Sequence, residues 1–345
     1  NGKDIRIGKL FNKGANAVIV AIDHGMFDGP IPGMINMEET AGNINSCIDG
    51  VLLSPGMLKR LRPIFNYKGA PMPIVRLNWS SVYCFQWNYN SAYSVLAQTV
   101  EESVANGAEI VLVSLTLQTG SEENDTRNVE LYSRLVNAAD KLGIPVIGEY
   151  FPTHSGTLSN EEMHEQVFAS CRILSELGCD MIKTFYTHDF RKVTESCPVP
   201  VFGLGAEKKP TQKEALQLAA DEIRDGARGV VFGRNAMQSP DPGRFQQALC
   251  EVVKYGVSVD EAIRKYSIVT EMRACICCGK LPEAVGLRIG IMSPKKFCKN
   301  YLVSAGILLT GLVVCPGSGI EKNGGEVVAV FTIHQESDVY HQSDY

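Results

Sequence analysis

Short apolar runs alternate with stretches of helical period along most of this chain, and that alternation is what limits the fold most. The runs are Ala17 to Ile22, Gly50 to Leu53, Ile74 to Leu77, Ile110 to Val113, Val146 to Ile147, Met181 to Ile182, Val201 to Phe202 and Gly229 to Phe232. Residues 95–105, 129–142, 163–177 and 213–225 carry apolar side chains every three or four positions. Small-residue turns such as Leu142-Gly143-Ile144-Pro145 and Leu177-Gly178-Cys179 close these stretches, as glycine does just past a helix. Strands that are apolar throughout need cover on both faces, and strands joined through helices run parallel. Eight such units over about 250 residues predict an α/β fold of the (β/α)8 TIM-barrel type. An open doubly wound sheet is the competitor, but it needs a glycine-rich dinucleotide turn after its first strand. Ile22-Asp23-His24-Gly25 is not that pattern.

The repeat stops near Tyr266. Residues 1–266 are therefore expected to form the barrel, and 267–345 an irregular C-terminal extension. The extension holds Cys275, Cys277, Cys278, Cys298 and Cys315. Cys-x-Cys-Cys is not the spacing of a zinc knuckle, and the uncharged run Tyr301 to Cys315 is short for a membrane span of about 20 residues. A packed strand pair or a poorly ordered extension fits it better.

Hydrophobic residues make up 45% of the 345 and charged ones 21%, the balance of a soluble globular protein. A net charge of −5 gives no electrostatic reason to expect nucleic acid as a partner, and no membrane association is expected. Cys47, Cys84, Cys171, Cys179, Cys197 and Cys250 are scattered among apolar residues. That suits free thiols in a reduced, cytoplasmic compartment. The chain opens on Asn1 rather than Met and is expected to be a fragment or a processed product.

In a barrel of parallel strands, reactive groups gather at the C-terminal strand ends. The sixth run leads into Lys183, and a lysine in an apolar setting can act as a free amine toward a carbonyl. The first run ends in Asp23-His24-Gly25, and the fifth in Gly148-Glu149-Tyr150, a carboxylate and a phenol. The seventh gives Phe202-Gly203-Leu204-Gly205-Ala206 and the eighth Phe232-Gly233-Arg234-Asn235. Loops after the last two strands of such barrels often bind phosphate. Glycines there admit the ligand to backbone N–H groups, and arginine adds charge-assisted bonds. A phosphorylated small molecule is the expected ligand. His24 and His154 are too isolated to argue for zinc, and no metal is expected.

Asp23-His24-Gly25 with Gly29-Pro30 and Gly33, then Tyr150, the Lys183 strand and Gly229 to Asn235, resemble the archaeal-type class I fructose-bisphosphate aldolases. Their superfamily includes deoxyribose-phosphate aldolase and the autoinducer-2 phosphate thiolase. The resemblance covers roughly Ile5 to Tyr266. It implies a Schiff base on Lys183 with no cofactor, Asp23 in an acid–base role and Tyr150 as proton donor. It also implies phosphate contacts from Gly205, Gly233 and Arg234, with His24 and Gly203 beside them, and assembly into a homo-oligomer. The implied reaction makes or breaks a C–C bond in a phosphorylated ketose. A thiolase-like acyl transfer on a phosphorylated hydroxyketone, or a catalytically silent barrel, are the alternatives. The chain departs from the family in having Gly205-Ala206 where two glycines are frequent. It has Phe151-Pro152-Thr153-His154 where an arginine often follows, and an aromatic loop from Trp79 to Tyr93. These departures bear on the substrate more than on the chemistry.

Overall fold

The computed structural model of the protein describes residues 1–87, 89, 91–153, 156–269, 307–310 and 332–335. The chain divides into two units, Asn1–Thr270 and Glu271–Tyr345. In the first, eight parallel strands close into a barrel: β1 (Ala17–Ala21), β2 (Gly50–Leu53), β3 (Met72–Arg76), β4 (Ile110–Leu115), β5 (Val146–Tyr150), β6 (Met181–Thr184), β7 (Val201–Leu204) and β8 (Gly229–Phe232). The ring closes where β1 pairs with β8, Ala17 opposite Gly229. Each strand falls on one of the eight apolar runs, and the (β/α)8 barrel expected from the sequence is the fold observed.

Strand geometry then sorts the side chains. Alternate residues point to opposite faces. Ala17, Ile19, Ala21, Met72, Ile74, Ile110, Leu112, Ile147, Met181, Phe202 and Val231 fill the barrel interior. The helix Gly2–Leu10 closes the N-terminal end of that interior with Leu10 and Phe11, and Phe11 stacks on Phe202 at 5.7 Å between centroids. The intervening residues, among them Val18, Val20, Val75, Val113 and Ile182, face the surrounding helices. Each such side chain, buried from water, contributes roughly 1.5–3 kcal/mol.

The long helices follow from their caps as much as from their apolar stripes. Ser159 and Glu162 form a capping box at the start of helix Asn160–Glu176, and Thr211 and Glu214 do so for Gln212–Arg224. Helix Glu122–Leu142 ends on left-handed Gly143. The segment expected to be helical from Val95 differs. A Thr99/Glu102 capping box delays the helix to Val100–Ala105. Ser94–Leu96 instead pairs antiparallel with Asn78–Ser80, forming a hairpin over the end of β3.

In the second unit, Ile307–Thr310 and Thr332–Gln335 form an antiparallel pair. Cys275, Cys277, Cys278, Cys298 and Cys315, like His154, lie outside the described residues. Among the described residues, no helix is long and apolar enough to cross a membrane.

Candidate active site

The period-two alternation that fills the interior with Ile and Met changes chemistry at the C-terminal end. Continuing the inward series gives Asp23 just past β1, Arg76 on β3, Glu149 on β5 and Lys183 on β6. These four side chains meet. Arg76 Nε donates to Asp23 Oδ2 at 2.6 Å, and Arg76 Nη2 lies 2.6 Å from Glu149 Oε2. Lys183 Nζ donates to Glu149 Oε1, as expected from the direct register of Glu149 opposite Lys183. Tyr83, from the loop after the hairpin's first strand, donates its hydroxyl to Glu149 Oε2 at 2.8 Å. The chain of contacts therefore runs Asp23–Arg76–Glu149–Lys183. Arg76 is 2% exposed and Lys183 8%.

Two buried carboxylates face two cationic side chains, and this sets their protonation. Burial opposes charge on Asp23, but Arg76 first and then Lys183 outweigh it and hold the carboxyl below its usual range. Burial likewise opposes charge on Glu149, and Arg76 and Lys183 again prevail. Arg76 loses hydration too, yet Glu149 and Asp23 raise it well above an ordinary guanidinium. Tyr83 goes the other way: burial, then the adjacent Glu149 charge, push its phenol up and keep it a donor. The apolar surroundings expected for Lys183 are thus corrected. Its amine is held by a carboxylate, because the inward face of β5 presents Glu149 at the same level.

Tyr150 is not brought to this centre. It follows inward-facing Glu149, so it faces outward, where its hydroxyl donates to Gln166 Oε1 at 3.0 Å on helix Asn160–Glu176. Burial raises its phenol to about 12. The placement corrects its expected role as proton donor, for the reason of strand alternation alone. The phenol in contact with the centre is Tyr83.

The glycines separate in the same way. Gly203 lies inside β7 with its open side outward, and a Cβ there would come within 2.1 Å of Glu222 Cδ. It makes room for a helix side chain, which corrects its expected place among phosphate contacts. Gly205, Gly233 and Arg234 do lie together past the ends of β7 and β8. Asn235 donates to Gly205 O at 2.7 Å, and Arg234 Nη2 donates to Ala206 O at 3.0 Å. Arg234 Nε is buried without a partner among the described residues, a free donor beside two glycine turns. His24 packs on Gly233, where a Cβ would stand 2.3 Å from its Cε1. Burial and the cations around it lower the imidazole to about 4, so it is neutral at physiological pH.

Arg76 and Tyr83 are absent from the sequence expectations, and Glu149 appears there only as a second carboxylate. Parity was the available signal: counting in twos from Ile74 reaches Arg76, and from Ile147 reaches Glu149. Tyr83 had none, since its position depends on the hairpin.

The barrel interior thus ends in a lysine–carboxylate–arginine–carboxylate chain, beside glycine turns and an arginine donor unpaired among the described residues. The chain belongs to the DeoC/LacD aldolase family, whose sequence profile matches residues 17–239; it is an aldolase, a carbon–carbon lyase. It is 32% identical over 269 residues to an uncharacterised aldolase of Saccharolobus solfataricus, covering 76% of this chain and 98% of that protein. It is 28% identical over 274 residues to the 3-hydroxy-5-phosphonooxypentane-2,4-dione thiolase of Escherichia coli, covering 77% of this chain and 87% of the thiolase. Among solved structures it is similar to an archaeal fructose-1,6-bisphosphate aldolase with its catalytic lysine covalently bound to the carbinolamine intermediate. The TM-score is 0.62 with 28% identity, over 73% of this chain and 99% of that one.

Proposed function

We propose that this aldolase is of the Schiff-base class and acts on a phosphorylated ketose through Lys183. The observation that carries the reading is the contact of Lys183 Nζ with buried, ionised Glu149 at the C-terminal end of the barrel interior. Glu149 takes the amine proton as Nζ attacks the ketone. Loss of water then leaves an iminium, the electron sink for cleavage of the neighbouring C–C bond. Asp23, ionised beside Arg76, accepts the proton of the hydroxyl that becomes the aldehyde, while the bonding pair moves into an enamine. Glu149 returns the amine proton to the carbinolamine oxygen as water leaves, and Tyr83, which keeps its own proton, holds the Glu149 carboxylate in place through its hydroxyl. Arg234, Gly205 and Gly233 hold the phosphate, whose binding energy fixes the geometry of the reacting carbons. His24, neutral and packed on Gly233, shapes that pocket. A cytoplasmic homo-oligomer goes with this reading by family resemblance, and light scattering in solution tests the assembly.

Borohydride reduction in the presence of ketose and hydroxyketone phosphates, read by peptide mass spectrometry, tests the chemistry. A reduced adduct on Lys183, absent from Lys183→Met, is expected. A folded protein that yields no adduct with any of them would sink the proposal. Asp23→Asn should still form the adduct while turnover drops by about 10²–10⁴; full activity would remove Asp23 from the proton path. Similarity to the Escherichia coli thiolase supports a second reading, acyl transfer on the same lysine. Turnover that depends on coenzyme A would favour it over C–C cleavage to an aldehyde.

A further inference from the structure

The mouth of the barrel is chemically lopsided. The loops after β7 and β8 carry Lys208, Lys209 and Arg234. The loops after β3 (77–99), β4 (116–121), β5 (151–159) and β6 (185–190) contain no lysine or arginine at all. These four strands are contiguous in the barrel, so among the described residues this half of the rim carries no lysine or arginine, and its histidine His188 faces Glu161. The cation beneath it, Arg76, is already shared between Asp23 and Glu149. Asp125 adds a negative charge to this half, tied to the backbone of Gln118 and Thr119.

Aromatic rings occupy that half instead, and Phe27 from the segment after β1 extends the row. Phe27 lies 4.7 Å from Tyr83 between centroids, Tyr83 4.6 Å from Phe151, and Phe151 5.0 Å from Phe185. Phe85 adds a fifth ring 5.9 Å from Phe151. The wall is tied directly to the reactive centre. Tyr83 bonds to Glu149, and Arg76 Cζ sits 4.7 Å from the Tyr83 ring.

Resting on the Schiff-base reading, we infer that the site takes a donor with one phosphate and an acceptor aldehyde that is uncharged and apolar, seated on the Phe151 wall. A second phosphate on that side would lose its hydration against carbon faces and ionised carboxylates with no cation to replace the lost water. An apolar chain or ring there gains by leaving water and by stacking. In the synthetic direction the enamine carbon of the Lys183-bound donor bonds to the aldehyde carbon, and the aldehyde oxygen takes up a proton. One water then hydrolyses the iminium, releasing a ketose monophosphate and the free amine.

The test uses the full chain with dihydroxyacetone phosphate as donor. Borohydride trapping first establishes the Lys183 adduct. Aldol addition is then compared for 3-phenylpropanal and glyceraldehyde 3-phosphate. The expected result is a kcat/KM about tenfold or more higher for the unphosphorylated aldehyde. Phe151→Arg should bring the ratio down by a similar factor. An adduct followed by preference for glyceraldehyde 3-phosphate, by equal rates, or by reaction with neither aldehyde overturns the inference while leaving the Schiff-base reading intact. No adduct overturns both.

Discussion

Two buried glutamates on opposite faces of the same barrel end in opposite states. Glu149, inside, contacts Arg76, Lys183 and Tyr83, and its carboxyl is held below the usual range. Glu222, outside, lies between β7 and its helix with both oxygens unpaired among the described residues. Burial drives its carboxyl well above the usual range, with distant Lys209 too weak to reverse it. Both side chains are almost wholly shielded from water. Burial alone therefore does not set the charge of these carboxylates; whether a cationic partner outweighs it does. Inside, Arg76 and Lys183 hold the two carboxylates below their usual range. Outside, an unpartnered acid stays protonated and packs into the space left by Gly203.

Arg76→Met puts the comparison under the greatest strain. It leaves Asp23 and Glu149 facing each other with only Lys183 between them, and removing one partner of a buried ionic group costs about 3–5 kcal/mol. Chemical denaturation should show that loss, with Lys183 adduct formation impaired as well. Unchanged stability would mean the charges are not mutually supporting.

Gly203→Ala acts on the other face. Its methyl would overlap Glu222 and is expected to destabilise by roughly 1–3 kcal/mol. Pairing it with Glu222→Ala should recover part of the loss, since the second change removes the obstructing carboxyl. Simple additivity of the two would show that they do not share this space.

The pH-linked effect is the sharpest in sign. Glu222 binds its proton more tightly folded than unfolded, so its contribution is full below an ordinary carboxylate pKa and is lost as pH rises above it. Asp23 and Glu149 have lowered values. Their contribution is present above the ordinary carboxylate range and is lost as pH falls through it. Glu222→Gln should thus match the parent near pH 4 and be more stable at pH 7 by on the order of 1–3 kcal/mol. A difference that does not grow between those pH values would show that Glu222 is ionised in the fold.

The sequence was informative wherever a repeating pattern carried the information. All eight strands, the helices at 129–142, 163–177 and 213–225, and the presence of Lys183 and Asp23 at strand ends follow from apolar runs, caps and period. The false start at Val95 arose because a few apolar residues at helical spacing also suit a short hairpin strand, and the Thr99 cap alone marks the true beginning. Tyr150 and Gly203 were drawn to the site by their distance from the strand end. One residue along a strand reverses the facing of a side chain, and that single step places both against the helices.

Alternation in sequence determined that this chain would close parallel strands under helices, and that a lysine, an aspartate and two glycine turns would arrive at one rim, because burying apolar strands on both faces leaves few other arrangements. Only the tertiary structure decided which side chains share the interior. Arg76, Glu149 and Tyr83 come from separate strands and a hairpin, and whether a buried charge is stable depends on neighbours that are distant in the chain and a few ångströms away in space.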